Sequence, residues 1–385
     1  MQQQQSLLSL VEKLAALPAQ RAKALIGFDG FVDEIVHVVD KRVGAEAYVR
    51  LECMAEYGRR IQRSAGLSTN IEMVTRIQKL GGNGPIFANA LIGFGYDITY
   101  IGAVGVPDIH PVFGEMAARC TMIPIANPAR TDAIEFLNGK IISSKLDPLK
   151  EVNWHSLCQR LGVQRLAELL EGCALVGFEN WTMLHHMSEI WERMLAEVLP
   201  RLSERNPKPI LFFDLADPQK REAGDILHAL GLIGRFGAHY QTVLGLNEKE
   251  AFEIAEILGM PGRGADRRTD GSTDESTDLE ALARYLFAHM RVDTLVIHPV
   301  RSSCMITKEG YCEAPGPYCE CPKLTTGAGD NFNAGFVFGA IAGLSMEQRL
   351  LMGMAASGYY VRNAASPNLR QLIGFLLDWA HDRLD

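Results

Sequence analysis

No apolar run in the 385 residues approaches the ~20 needed to span a bilayer. The longest candidate, Phe332 to Leu344, is short and broken by glycine. No basic segment followed by an apolar stretch opens the chain, so no secretion signal is expected and a cytoplasmic location is. Positive charge is in deficit: 38 Lys and Arg against 46 Asp and Glu leave a net charge of −8. That argues against nucleic acid or an anionic membrane as partner, though not against a small anion held in a local pocket. The eight cysteines are too few for a disulfide framework in a chain this long. Cys304, Cys312, Cys319 and Cys321 have seven, six and one residues between them, which matches no paired zinc knuckle. No internal repeat is evident. What is plentiful is apolar sequence, 47%, with 22% charged residues, which suits a folded globular chain of two domains or one large one at roughly 150 residues per domain.

Residues 1–22 read as a polar tail and an amphipathic helix from Ser6 to Leu17, with Ser9 and Glu12 at capping-box spacing. The remainder, 23–385, reads as one α/β domain. Ala24–Phe28, Asp97–Val104, Leu175–Phe178, Ile210–Phe213, Thr242–Leu246 and Thr294–Ile297 are short apolar strand candidates. Helical stretches separate the later ones, such as Met187–Leu199 and Glu248–Leu258. This alternation predicts a doubly wound, mostly parallel sheet with helices on both faces. Segments at about 31–43 and 121–145, the second carrying an Asn138-Gly139 hairpin signal, predict a small β lid. Residues 45–80 read as mostly helical. The polar stretch 261–278 reads as a mobile insertion.

The densest glycine signal is Thr325-Thr326-Gly327-Ala328-Gly329-Asp330, followed by an apolar helix pattern. A Gly-rich turn opening a helix offers unpaired backbone N–H groups and the positive end of the helix dipole to an oxyanion. A carboxylate beside such a site suits phosphoryl transfer, which needs a base near the attacking hydroxyl and donors for the moving charge. Taken alone, the pattern reads equally well as a capped helix with closely packed glycines.

The wider spacing resembles the ribokinase-like carbohydrate kinases, also called the phosphofructokinase-B family. The resemblance rests on four segments in order: Gly27-Phe28-Asp29-Gly30-Phe31-Val32-Asp33, Gly81-Gly82-Asn83-Gly84, Asn247-Glu248-Lys249-Glu250, and Thr325 to Asp330. It implies a ribokinase-like fold and an ATP-dependent sugar or nucleoside kinase. It implies Asp330 as general base and Gly327, Ala328 and Gly329 as anion hole. Asp29, Asp33, Gly81, Gly82 and Asn83 would bind the acceptor. Asn247, Glu250 and Thr326 would meet nucleotide and phosphate, with Mg²⁺ held near Glu250 through water; Arg301, where the family's glycines are lost, is a further candidate phosphate contact by its charge, or else a solvated surface residue. A homodimer through the lid is also implied.

The sequence departs from that family at two places. Position 324 is Leu where the family has Asp, which puts activation by a monovalent cation in question. No glycine lies between Val296 and Thr307, where two are usual beside the nucleotide. Two alternatives therefore stay open at this point: a nucleotide- and sugar-binding protein of the same fold with weakened catalysis, and a sugar kinase that uses ADP as donor.

Overall fold

The computed structural model describes residues 2–17, 22–260 and 278–384. Its strands are β1 (Lys23–Phe28), β2 (Phe31–Arg42), β3 (Tyr48–Arg50), β4 (Met73–Gly81), β5 (Asp97–Gly102), β6 (Thr121–Pro124) and β7 (Ala129–Phe136). They continue as β8 (Gly139–Lys145), β9 (Leu175–Phe178), β10 (Ile210–Asp214), β11 (Gln241–Leu246), β12 (Thr294–Ile297), β13 (Ser302–Thr307) and β14 (Gly310–Pro315). Nine of them form one sheet in the order β14-β13-β12-β11-β10-β9-β1-β5-β6. From β12 to β6 every neighbour is parallel, and the β13–β14 hairpin closes one edge antiparallel.

The short apolar runs become central strands because a parallel sheet is covered on both faces and needs apolar side chains on each. Alternation along each strand sends them to opposite sides. Val176, Phe178, Leu211, Phe213, Leu244 and Leu246 join one core with Trp181, Trp191 and Phe236. Leu175, Ile210, Phe212 and Val243 join the other, with Phe87, Phe332 and Phe336. The first core is built around an aromatic cluster: Phe178, Trp191, Phe213 and Phe236 lie in mutual ring contact, with centroids 5.1–6.4 Å apart. No helix among the described residues is long and apolar enough to cross a membrane.

The small sheet runs β3-β2-β7-β8, with β4 also paired to β2. Its framework is β2, twelve residues long, whose first half is flanked by β4 on one side and β7 on the other. Three expectations change here. Residues 45–80 hold only one helix, Met54–Arg63, and end in β4. Residues 75–78 are all exposed, so antiparallel pairing with β2 decides their conformation rather than any apolar face. Residues 121–124 form β6 in the large sheet, parallel to β5, so this part of the small sheet starts at Ala129. In the β7–β8 hairpin Phe136 pairs with Gly139, which places Leu137 and Asn138 in the turn and Gly139 at the start of β8.

The first helix spans Gln2–Ala15, so Ser9 lies inside it rather than capping it. Its Leu7, Leu10 and Leu14 are buried, and it packs on the last helix, Leu369–Ala380. The insertion read at 261–278 lies outside the described residues, apart from Asp278, which caps the helix Leu279–His289.

The helix Ala328–Ile341 is clamped against Met346–Asn363 at a glycine. A Cβ on Gly335 would stand 2.5 Å from the Met352 carbonyl oxygen. Gly335→Ala must therefore push the two helices apart. It is expected to lower stability by about 1–3 kcal/mol in denaturant unfolding. An unchanged midpoint and slope would show that the interface has slack.

Candidate active site

The site lies at the carboxyl ends of the parallel strands, beside β1, where open α/β sheets gather their ligands. Chain order already assembles it: Asp29 follows β1, Glu179 and Asn180 follow β9, Asp214 ends β10, Asn247 follows β11 and His298 follows β12.

Asp29 is completely buried, and both of its oxygens are engaged by the protein. It accepts hydrogen bonds from the Asn83 N–H (3.0 Å), the Gly84 N–H (2.9 Å) and the Asn180 amide (2.9 Å). The Tyr100 hydroxyl stands 3.3 Å from its Oδ1 and donates to its backbone carbonyl at 2.7 Å. Burial pushes the Asp29 carboxyl up to about 6, and these donors oppose the rise. Asp29, expected to bind the acceptor, lines neither cavity described below and is engaged by the protein itself. It holds the turn at Gly82, whose φ of 100° suits glycine, and so sets the start of the helix Asn83–Gly93.

The residue that does face a cavity is Asp33. Its strand partners in register are Lys79 on β4 and Thr131 on β7. Burial raises its carboxyl, while Lys79, Thr131 and Lys140 oppose this. Together with Asn83, Thr326, Gly327 and Asp330 these residues line a cavity of about 450 Å³ between the two sheets. Gly81 lies directly against the Asp33 carboxylate, where a side chain would collide with it. Asn89 lines a different hollow with Leu324 and Tyr360.

Asp330 sits in the first turn of the helix Ala328–Ile341, buried, with the Asn83 amide donating to its Oδ1 at 2.9 Å. Burial drives its carboxyl up to about 8. The Asn83 hydrogen bond lowers it, and the charges of Asp29 and Glu250 raise it further. Behind it the acids accumulate. Ligand oxygens of Glu179, Asp214 and Asp330 all lie within 4.8 Å of one another, and all three residues are buried. Glu179 has no hydrogen-bond partner on either oxygen, and burial and the neighbouring acids hold its carboxyl well above its usual range. Asp214 is raised likewise, although the Asn333 amide reaches its Oδ2 at 3.1 Å. Among the described residues this is the one group of three or more potential metal-ligating side chains close enough to share a cation; the four neighbouring cysteines form none. In the sequence, the signal that marks Glu179 and Asp214 is an acid directly after a short apolar run. Lys79 gave none, because its strand was not recognised.

Asn247 and Glu250 explain their own spacing. The Asn247 side chain accepts the Glu250 N–H (2.9 Å) and the Glu250 carboxylate accepts the Asn247 N–H (3.0 Å), a reciprocal cap on the helix Glu248–Ile257. The other Glu250 oxygen accepts the Asp217 N–H at 2.8 Å. Burial raises this carboxyl, yet it still borders the 450 Å³ cavity. A carboxylate has about four lone-pair sites, so Glu250 retains capacity for a water-held Mg²⁺.

Of the three expected anion-hole residues, Gly327 starts the helix in a left-handed conformation and faces the first cavity. Ala328 and Gly329 face a second cavity of about 330 Å³ with Asn247, Thr325 and His298. The Ala328 N–H donates back to the Thr325 carbonyl at 3.0 Å, so that donor is already engaged. Arg301 borders neither cavity. It is exposed, and its guanidinium lies over the Tyr318 ring at 3.6 Å.

The profile of a family described as prokaryotic ketohexokinase matches residues 3–379. The ketohexokinase of Haloferax volcanii is 26% identical over 355 residues, covering 92% of this chain and 90% of that protein. Two solved structures share the fold. The nucleoside kinase of Methanocaldococcus jannaschii, an archaeal member of the ribokinase family, has a TM-score of 0.58 at 14% identity, covering 93% of this chain and 98% of its own. Arabidopsis thaliana ribokinase complexed with ribose and ATP has a TM-score of 0.61 at 13% identity, covering 93% of this chain and 99% of its own.

The raised Asp330 carboxyl has a direct consequence for stability. Unfolded, such a group titrates near 3.9; folded, it titrates near 8. Between those values the folded state holds the proton more tightly, so this contribution to stability is lost as pH rises from about 4 to about 8. Asp330→Asn removes the loss. The variant is expected to exceed the parent at pH 9 by on the order of 2–4 kcal/mol, with a smaller gap at pH 5. Thermal and denaturant unfolding at both pH values check this, and a gap that does not widen with pH contradicts it.

Proposed function

This chain belongs to the prokaryotic ketohexokinase family and is a sugar kinase, and from that premise we propose that it transfers the γ-phosphoryl group of ATP to a hydroxyl of a ketohexose. The observation that carries the reading is the position of Asp330. It is buried in the first turn of a helix, with an acceptor-sized cavity on one side and a second cavity meeting the same helix start on the other.

In this reading the acceptor lies in the 450 Å³ cavity, where Asp33, Lys79, Thr131 and Asn83 offer polar contacts. Its reacting hydroxyl stands at Asp330, which accepts the proton as that oxygen attacks. Asn83, held in turn by Asp29, fixes the orientation of the base through its 2.9 Å hydrogen bond. The N–H groups of Gly327 and Gly329, at the positive end of the helix dipole, face the phosphoryl charge. Thr326 and Asn247 border the donor phosphates. Glu250 would hold Mg²⁺ through water; when bound, the ion neutralises charge on phosphate oxygens. The small sheet shields the acceptor from water, the competing nucleophile. An ionised Asp330 is required, so kcat/KM should climb with pH toward 8.

Asp330→Asn is expected to reduce turnover by about 10²–10⁴-fold while the folded protein still binds ADP, as calorimetry would show. Near-normal turnover ends the general-base assignment. A spectrophotometric comparison of ATP with ADP as donor on fructose decides between the two donors, and nucleotide binding without phosphate transfer to any sugar would identify a binding protein.

The cytoplasm is the proposed site of action, with no nucleic acid or membrane partner. We also place a homodimer contact on the small sheet. Ile35, Ile77, Ala133 and Ile142 stand in one row across β4, β2, β7 and β8. Ile77 and Ile142 remain 54% and 58% exposed. A second copy covering this row would remove that apolar surface from water. Sedimentation should report a dimer that Ile77→Asp with Ile142→Asp converts to monomer; a monomeric parent protein contradicts the contact.

A further inference from the structure

The turn that opens the helix of Asp330 has three successive carbonyls engaged by the protein, and one of them is held from outside. The Thr325 carbonyl accepts the Ala328 N–H at 3.0 Å. The Gly327 carbonyl accepts the Asn331 N–H at 3.1 Å and the Asn331 side-chain amide at 2.8 Å. Both are bonds within the turn and its own helix. The Thr326 carbonyl instead accepts the Tyr360 hydroxyl at 2.9 Å, from a residue 34 positions further along the chain.

Tyr360 stands on Met346–Asn363, the helix that meets Ala328–Ile341 at Gly335. It is 6% exposed, so its ring has little room to swing away. Its hydroxyl oxygen lies 2.8 Å, and its Cζ 3.2 Å, from where a Cβ on Gly327 would stand, so glycine is what lets the ring come this close. Burial, with the charges of Asp330 and Asp33, pushes the phenol's titration upward, so the hydroxyl keeps its proton and remains a donor. Thr326 and Gly327 in turn border the 450 Å³ cavity beside Asp330.

The Thr326 carbonyl and the Gly327 N–H belong to one peptide plane, and in a trans peptide they point opposite ways. A glycine at φ 96° leaves that plane free to turn over, since glycine accepts either sign of φ. A hydrogen bond on the carbonyl from a neighbouring helix selects one orientation. It also polarises the peptide and strengthens the N–H as a donor. We infer that Tyr360 is a positioning residue for phosphoryl transfer: by holding the Thr326 carbonyl it aims the Gly327 N–H at the phosphoryl group as it passes from ATP to the acceptor. This rests on the reading of the turn as the anion hole. Asn83 fixes the direction of the base, and Tyr360 fixes that of an N–H donor.

Tyr360→Phe keeps the ring and removes the hydroxyl. Its kcat with ATP and the ketose is expected to fall by about ten-fold or more, short of what outright loss of an oxyanion donor causes. Both KM values should stay within about three-fold of the parent, since the contact is made in the transition state. Calorimetry should give parental ADP affinity, and thermal unfolding a cooperative transition a few degrees lower. A hydroxyl that only packs would lower that transition and leave kcat alone. A fall in kcat of less than about ten-fold, or a loss carried by KM or by ADP affinity, overturns the inference. Where the variant is unfolded at the assay temperature, the comparison moves to about 10 °C, near the usual stability maximum. A chain unfolded there too overturns the inference, because the fold itself then needs the hydroxyl. A ketose kinase unmoved by Tyr360→Phe keeps the proposed function and loses only this residue's role. A parent protein that phosphorylates no ketose ends the acceptor reading, and the comparison is then made on its hydrolysis of ATP; no transfer to water either overturns both.

Discussion

The site depends on one carboxylate that the protein encloses completely. Asp29, sealed at the end of β1, receives the N–H groups of Asn83 and Gly84 and the amide of Asn180. Those contacts join the end of the central strand, the glycine turn and the end of the neighbouring strand β9 into one unit. Asn83 then extends from that unit to Asp330. Taking Asp29 away would leave two backbone donors and an amide unpaired where water does not reach, which costs more than the bonds themselves contribute. The orientation of Asp330, the proposed base, is thus inherited from the first strand.

Around that anchor the site holds far more negative charge than burial favours. Asp29, Glu179, Asp214, Glu250 and Asp330 all titrate above their ordinary range, each mainly because it is buried. Such a cluster favours positive charge, as a bound proton or a cation, and fits the proton transfer proposed for Asp330. Glu179, with neither oxygen partnered, is the member of the cluster least satisfied by the protein itself.

Much of this was legible in the chain. The strands of the large sheet were readable because short apolar runs in a βαβ rhythm have few other uses, and Asp330 because a Gly-rich turn before an apolar pattern marks a helix start; Asn247 and Glu250 came only with the resemblance to known kinases. What escaped notice was set by distant pairing. β4 carries no apolar face of its own and exists because β2 lies beside it, so Lys79 could not be placed. Asp29 and Asp33 belong to one short stretch and look alike as acids; only the fold shows that one is enclosed by hydrogen bonds and the other opens on a cavity. Arg301 invited a phosphate role by charge, and the aromatic ring of Tyr318, seventeen residues on, claims it instead. The resemblance to known kinases supplied the ordered motifs but not which of their residues are structural here.

The clamp between Gly335 and Met352 separates what this protein can change from what it cannot. With the helix of Asp330 pressed backbone to backbone against its neighbour, that end of the site tolerates almost no drift in sequence. The opposite wall is a sheet whose alternate side chains face the cavity of the proposed acceptor, each carried on its own strand and backed by little core. Discrimination among acceptors is therefore open to evolutionary revision one side chain at a time on that sheet, while the apparatus for moving phosphate stays as it was.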